Sequence, residues 1–120
     1  MTPATLDALK ASIVKWDNNT HAMTPADAKV SGDTCPLCAL FYDEMDPAAD
    51  DEDNARCHGC PIKARTGHSN CHSTPWMDAW NAKHQWISNP NYAPAFIAAA
   101  VRMRDHLISL LPADSEERAA

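Results

Sequence analysis

Apolar residues recur at intervals of three and four in two long stretches of the chain, and this spacing is typical of one face of an α-helix. The first stretch predicts a helix over residues 3–18. Its apolar stripe consists of Leu6, Leu9, Ile13 and Trp16. The second predicts a helix over residues 94–111. Its broader face consists of Ile97, Ala100, Val101, Leu107, Ile108 and Leu111. No stretch shows the alternation of a half-buried strand, so the pattern predicts a mainly α fold.

Three Thr-Pro dipeptides mark helix starts. A threonine side chain can accept one of the first N–H groups of a helix, and proline suits the first helical position. The dipeptide at residues 24–25 predicts a short turn of helix that ends before Gly32. The dipeptide at residues 74–75 predicts a further helix over residues 75–87.

The centre of the chain has a weaker periodicity. Residues 36–45 predict a helix that directs Leu37, Leu40 and Phe41 inward. Residues 47–54 are acidic and poor in apolar side chains, which favours a loop. Residues 57–73 combine glycine, proline and many polar residues, and they predict an irregular loop wrapped on a metal. The expected fold is therefore a small helical domain with a central zinc-binding loop.

Length and composition indicate one domain, which we expect to cover residues 1–112 and to be followed by a polar tail at 113–120. Of the 120 residues, 45% are apolar, and no window approaches the roughly 20 apolar residues that span a membrane. The first residues lack the basic and apolar segments of a secretion signal. We therefore expect a cytoplasmic protein, in which thiols stay reduced and bind metal rather than form disulfides.

Two cysteine pairs stand out: Cys35 with Cys38, and Cys57 with Cys60. Eighteen residues separate the pairs, and Cys71 follows after ten more. Two thiolates separated by two residues can bind one ion from a single turn, and two such turns supply the four sulfurs that tetrahedral zinc prefers. The spacing predicts a zinc site, for which Cys35, Cys38, Cys57 and Cys60 make the simplest set of ligands.

The choice of ligands stays open at this point. Cys71 can replace Cys57 in the set of four, and three histidines lie beside or between the cysteines: His58, His68 and His72. Four thiolates also hold iron–sulfur clusters, and Cys60-Pro61 resembles the end of some ferredoxin motifs. The tight run of three cysteines that those motifs contain is absent.

The pattern favours a structural metal over a catalytic one. A catalytic zinc needs an open coordination position, and the His-x-Glu that deaminases place before Pro-Cys-x-x-Cys is absent. A thiol–disulfide exchanger built on Cys57 and Cys60 is the enzymatic alternative, because a histidine between two cysteines favours exchange chemistry in such motifs. Thioredoxin-like motifs follow a strand, however, and no strand is predicted before Cys35. We therefore expect a non-enzymatic protein.

The net charge of −6 is concentrated in one segment. Seven of the sixteen acids lie within eleven residues that contain no base: Asp43, Glu44, Asp46, Asp50, Asp51, Glu52 and Asp53. The remainder is nearly neutral, so nothing predicts a basic face for nucleic acid. The acidic segment is interpreted either as a solvated loop or as an imitation of nucleic-acid phosphates.

The tryptophans Trp76, Trp80 and Trp86 occur within one predicted helix. The spacing of four places Trp76 and Trp80 on one helical face, which favours core packing. An exposed member would instead suit a partner surface, because tryptophan is enriched at interface hot spots.

The residues around the cysteines form a longer pattern: Cys35-Pro36-Leu37-Cys38 with Phe41, Cys57-His58-Gly59-Cys60-Pro61, Thr66-Gly67, and Cys71 with Thr74-Pro75-Trp76. Over residues 15–80 the chain resembles a family of small cysteine-rich proteins of tailed bacteriophages, from which no activity can be carried over. The resemblance implies that all five cysteines belong to the pattern, which favours Cys71 as a ligand. The acidic segment is then the variable part.

These observations predict a zinc-binding protein of phage type that binds a protein of the host or of the phage, without a membrane or nucleic acid as partner. An acidic mimic of nucleic acid, which inhibits a host nuclease or defence complex, is the first alternative. A thiol–disulfide exchanger is the second. The sequence does not predict the oligomeric state of the protein.

Overall fold

The computed structural model describes residues 1–31, 36–51, 55–66 and 74–112, which we call the described residues. The helices whose bounds lie within them are α1 (Pro3–Asn19), α2 (Pro36–Phe41), α3 (Pro61–Thr66), α4 (Trp76–Trp86) and α5 (Ala93–Ser109). Two 3₁₀ helices span Pro25–Asp27 and Pro90–Tyr92. The described residues contain no strand, and the prediction of a mainly α fold is confirmed.

Helix α1 begins where the Thr-Pro dipeptide predicts. The Thr2 hydroxyl oxygen accepts the backbone N–H of Thr5 at 3.1 Å, and Pro3 occupies the first helical position. Leu9 and Trp16 of the predicted apolar stripe are buried in the core, and Leu6 and Ile13 pack at its edge. The periodicity therefore identified both the helix and its inner face.

Helix α5 is the central element, because it packs against both α1 and α4. Its buried residues are Phe96, Ala99, Ala100, Met103 and Leu107. The ring centroids of Phe96 and Trp86 lie 5.8 Å apart, which joins α5 to α4. Beyond the end of the helix Leu110 and Leu111 stay buried, so the apolar face that the sequence predicts continues past Ser109. We call α1, α4 and α5 the helical layer.

The segment between α1 and α2 is fastened to the helical layer by side chains that bind its backbone. The Asn19 side-chain amide donates to the Lys29 carbonyl at 3.0 Å and accepts the Lys29 N–H at 2.9 Å. The Trp76 indole N–H donates to the Val30 carbonyl at 2.8 Å, and the Lys83 ammonium donates to the Ala28 carbonyl at 2.7 Å. This segment consequently bridges α1 and α4.

Two predictions for the centre of the chain are wrong. Helix α2 ends at Phe41 instead of residue 45, and Leu40 is 41% exposed instead of inward-facing. Within the predicted irregular loop at 57–73, residues 61–66 form helix α3, which begins with Pro61 in the first helical position. The Cys60 carbonyl accepts the N–H of Ala64 at 3.0 Å, so this helix grows directly out of the second cysteine pair.

The predicted bounds of the other helices are close to those observed. Helix α4 occupies the predicted range 75–87 to within one residue at each end, and Pro25–Asp27 forms the predicted short turn. The predicted tail at 113–120 lies outside the described residues. None of the helices in the described part of the chain is long and apolar enough to cross a membrane.

Candidate metal centre

The second cysteine pair forms a tight turn with buried thiols. The Cys60 N–H donates to the Cys57 carbonyl at 2.9 Å, and both cysteines are only 6% exposed. Cys57 has a φ of 63° and is the one non-glycine residue with positive φ among those described. The left-handed region costs an L-residue about 1–2 kcal/mol. Such strain persists where surrounding structure enforces it, often at functional sites.

Gly59 allows α2 to approach this turn closely. Its φ is 90°, and a Cβ at this position would lie 3.2 Å from the Phe41 Cε1 atom. Phe41 is on α2, one turn beyond Cys38. Two physical reasons therefore favour glycine at the third position of Cys-x-Gly-Cys. One is the left-handed backbone conformation, and the other is the close contact with the helix that carries Cys38.

Backbone hydrogen bonds hold the two cysteine-bearing segments side by side. The His58 N–H donates to the Glu44 carbonyl at 3.1 Å, and the Asp46 N–H donates to the Ala55 carbonyl at 2.9 Å. These bonds join the two described flanks of the acidic segment. Its two ends, one next to α2 and one next to the Cys57–Cys60 turn, are thereby brought together.

Arg56 adds side-chain contacts to the same junction. Its guanidinium lies over the Tyr42 ring, 4.6 Å from the centroid, and its Nη1 atom is 3.2 Å from the Asp43 carboxylate. Arg56 thus combines a cation–π contact with an ion pair at this junction. Sequence reasoning missed this residue, because a single arginine beside a cysteine pair carries no spacing signal.

The described residues include three of the five predicted ligands. Cys38 is half-buried on α2, and Cys57 and Cys60 are buried in the turn. Cys35 and Cys71 lie outside the described residues, as do the candidate histidines His68 and His72. His58 is exposed, with its Nδ1 atom 4.0 Å from the Asp46 carboxylate.

Among the residues described, no group of three or more His, Cys, Asp or Glu side chains is arranged to hold a metal ion. The zinc site and the choice of four cysteines from five therefore stay predictions. The local fit is nevertheless favourable, because a strained turn between buried thiols is a conformation that a metal bound to both sulfurs would stabilise.

A cavity of about 620 Å³ opens beside the turn. Thr5, Phe41, Gly59 and Leu110 are among its lining residues, together with Arg65 of α3. The Arg65 guanidinium donates to the Ser109 carbonyl at 3.4 Å and so connects α3 with the end of α5.

His106 is half-buried on α5, near this junction. Burial, and secondly the positive charge of Arg65, lower the pKa of His106. Its Nε2 atom is buried and finds no hydrogen-bond partner among the described residues. No motif in the sequence marks His106, because a histidine on the edge of an apolar face has many ordinary uses.

The three tryptophans of α4 have different environments. Trp86 is buried, and Trp76 is half-buried and donates its indole N–H to the Val30 carbonyl. Trp80 is 38% exposed and stacks on His84, with ring centroids 3.9 Å apart. Core packing, which the sequence favoured for Trp76 and Trp80 together, therefore accounts for Trp76 but not for Trp80.

The chain matches no protein-family model, and neither the curated proteins nor the solved structures contain a match to it. The resemblance to cysteine-rich phage proteins stays a prediction that rests on the residue pattern alone.

Proposed function

We propose that the chain is a non-enzymatic, zinc-stapled helical protein that binds a protein of a bacterial host or of its phage. The observation that supports the staple is the Cys57–Cys60 turn, which combines a left-handed cysteine with a second buried cysteine and contacts α2 through Gly59 and Phe41. A metal bound to these thiols would offset the strain of the turn, because the free energy of metal binding contributes to the free energy of folding.

The zinc would be held by four of the five cysteines, with donors from the Cys57–Cys60 turn completed by others among Cys35, Cys38 and Cys71. A zinc closed by four thiolates fixes the positions of its ligands and leaves no coordination position for a substrate. Its role here is to hold two very short helices in place. Helices α2 and α3 have six residues each, and isolated helices of that length are unstable in water.

The partner surface that we assign is the loop face, defined as Leu40, Tyr42 and Met45 with the neighbouring Asp43 and Glu44. The three apolar side chains are all exposed, and the exposed carboxylates of Asp43 and Glu44 lie between Tyr42 and Met45 in the sequence. Apolar and aromatic anchors within a polar rim are typical of protein interfaces. A partner with an apolar groove and basic residues at its edge fits this arrangement.

The acidic-mimic alternative has its own support. The Asp43 side chain is 94% exposed, and Asp50 and Asp51 are also exposed. A row of accessible carboxylates suits a protein that normally holds phosphates. Binding by such a mimic would weaken sharply as salt rises, whereas binding through Leu40, Tyr42 and Met45 would depend on salt only weakly.

Thiol–disulfide exchange is less well supported. Exchange needs a thiolate that a substrate can reach, and both cysteines of the only complete pair among the described residues are buried. Steady turnover of a small disulfide substrate would nevertheless overturn the non-enzymatic proposal.

Metal analysis of the purified chain tests the staple. We expect about one zinc per chain, and we expect Cys60→Ser to lose it and to unfold residues 36–66 while the helical layer keeps its helical signal in circular dichroism. Ala64→Ser is the matched control, since it adds a serine on exposed α3 and keeps every thiol. Metal-free wild-type protein with full protection of the Ala64 amide from hydrogen exchange would contradict the proposal.

A further inference from the structure

Helix α4 carries a second apolar stripe on the side away from the core. Its buried residues are Ala79, Ala82 and Trp86. Its exposed large side chains include Met77, Trp80 and, at the C-cap, Ile87, and His84 is exposed beside Trp80. At about 100° per residue, positions 77, 80, 84 and 87 fall within about 80° of one another. We call these four residues the outer stripe.

The order of residues in the outer stripe is symmetric along the helix. Met77 and Ile87 lie five positions on either side of residue 82, and the aromatic rings of Trp80 and His84 lie two positions on either side. When two copies of such a helix meet antiparallel across a two-fold axis at residue 82, each Met77 faces the other copy's Ile87. Each Trp80 likewise faces the other copy's His84. A two-fold contact requires this kind of self-complementarity, in which one patch serves both copies.

The charges beside the outer stripe favour a second copy over a charged partner. Asp78 is 3.1 Å from Arg102 of α5, and the Lys83 ammonium donates to the Ala28 carbonyl. The remaining neighbours on the exposed side, Asn81, Gln85 and Ser88, are neutral. A basic or acidic partner would find little complementary charge here, whereas a second copy presents the same neutral, apolar surface.

We propose that the outer stripe is the contact of a weak, two-fold symmetric homodimer in which the α4 helices pack antiparallel. The stacked Trp80 and His84 rings form its centre, and the Met77–Ile87 pairs close its two ends. The helix has 11 residues and a length of about 16 Å. Its stripe is therefore smaller than the ~800 Å² that each partner buries in a standard stable complex, and the dimer forms only at micromolar concentrations or above.

This inference does not depend on the zinc staple or on the loop face, which lie on other elements. It also predicts an unusual response to salt. Each copy carries a net charge of −6, so the copies repel one another, and added salt screens this repulsion. Dimerisation through the outer stripe therefore strengthens or stays constant as salt rises, whereas association through the acidic loop and a basic surface weakens.

A charge exchange tests both the surface and its register. Met77→Glu and Ile87→Lys each bury a charge against an apolar side chain of the other copy, and each raises the dimer dissociation constant at least about tenfold. Both changes are favourable for the helix itself, because the acid lies in its first turn and the base follows its last turn. The double variant Met77→Glu/Ile87→Lys regains most of the lost affinity, since each new glutamate faces a lysine of the other copy.

The measurement is sedimentation equilibrium of the full, metal-loaded chain over a range of concentrations, with circular dichroism to establish that each variant is folded. Val14→Lys is the control, because it places the same charge on an exposed apolar position of α1 and leaves dimerisation unchanged. A wild-type chain that stays monomeric at about 1 mM overturns the proposal, since even weak specific contacts form there. So does equal weakening by Ile87→Lys and Val14→Lys, or a double variant no better than the single ones.

Discussion

The helical layer and the cysteine region, which we define as residues 36–51 and 55–66, are held together by different kinds of interaction. The helical layer contains two helices of 17 residues, and its side chains interdigitate around fully buried Leu9 and Phe96. The cysteine region contains two helices of six residues, joined by backbone hydrogen bonds, by Arg56 and by a strained turn. The buried apolar core nevertheless includes Leu37 of α2 and Ile62 of α3, so apolar burial supports both regions, and we propose that metal-bound thiols add a further support to the second region alone.

This difference assigns separate roles to the two regions. The helical layer is a scaffold whose stability comes from side-chain burial, which is approximately additive with area. The cysteine region packs Leu37 and Ile62 against this scaffold, and in our proposal its stability depends in addition on metal bound to its thiols. Loss of metal should therefore release the loop face without unfolding the scaffold, so that partner binding and folding respond separately.

The largest effect that we predict is on the scaffold. Phe96 is fully buried and packs against Trp86, so Phe96→Ala leaves a cavity and lowers the free energy of unfolding by about 3–5 kcal/mol. The cysteine region should lose amide protection to the same extent, since α3 is attached to α5 through Arg65 and Ser109. Urea unfolding and hydrogen exchange measure the two effects.

Two further variants complete this test. Val14→Ala changes an exposed position of α1 and is expected to alter the free energy of unfolding by no more than about 0.5 kcal/mol. Phe96→Leu keeps most of the buried volume and retains a folded protein if Phe96→Ala unfolds completely. Unchanged protection of α3 amides in a destabilised Phe96 variant would show that the cysteine region folds independently.

The next effect is confined to the cysteine region. Gly59→Ala forces a side chain into the left-handed region and against Phe41, and we expect it to cost about 1–3 kcal/mol. Exchange of the Cys60 and Ala64 amides should accelerate, while α1 and α5 keep their protection. Zinc affinity should fall together with this local stability.

The double variant Gly59→Ala/Phe41→Leu separates the two causes of that cost. Leucine removes the aromatic ring that a Cβ at position 59 would meet 3.2 Å away, but it leaves the backbone at φ 90°. Partial recovery is expected, since only the contact is relieved. If the α5 amides lost as much protection from hydrogen exchange as the Cys60 and Ala64 amides, the two regions would not differ in the way that we describe.

The long helices could be predicted from the sequence because side-chain burial determines both the pattern and the fold. Helix α3 could not, because Pro61 was interpreted as a loop residue, whereas it occupies a first helical position. The outer stripe escaped prediction for a related reason. The core face of α4 is formed largely by Ala79 and Ala82, and small residues give a weak periodic signal beside three tryptophans.

The candidate metal centre was predictable in its residue types but not in its geometry. Cysteine spacing identifies the pairs, yet the left-handed Cys57 belongs to a turn that contacts α2 and forms backbone hydrogen bonds with residues 44–46. Those contacts join residues far apart in sequence, and no local pattern encodes them. The same is true of His106, whose environment is created where α3 meets the end of α5.

The smallest effect that we predict links the two regions through pH. Burial and the nearby Arg65 guanidinium hold the pKa of His106 below its ordinary value of 6.5. The unfolded chain therefore takes up a proton at a higher pH than the folded chain does, and protonation favours unfolding. The stabilising contribution of neutral His106 is fully present above about pH 6.5 and is lost as the pH falls towards the lowered pKa.

A replacement of His106 that cannot be protonated tests whether stability falls as the pH falls. His106→Gln cannot take up the proton, so the free energy of unfolding of the variant should fall less between pH 7 and pH 5 than that of the wild type. Val14→Ala is the control, since it changes an exposed position of α1 and keeps His106, so its slope should equal that of the wild type. In the wild type, the loss of stability at low pH should appear first as faster hydrogen exchange of the α3 amides, because a protonated His106 places a second positive charge beside Arg65. Identical pH slopes for wild type and His106→Gln would show that the junction between the two regions does not respond to His106.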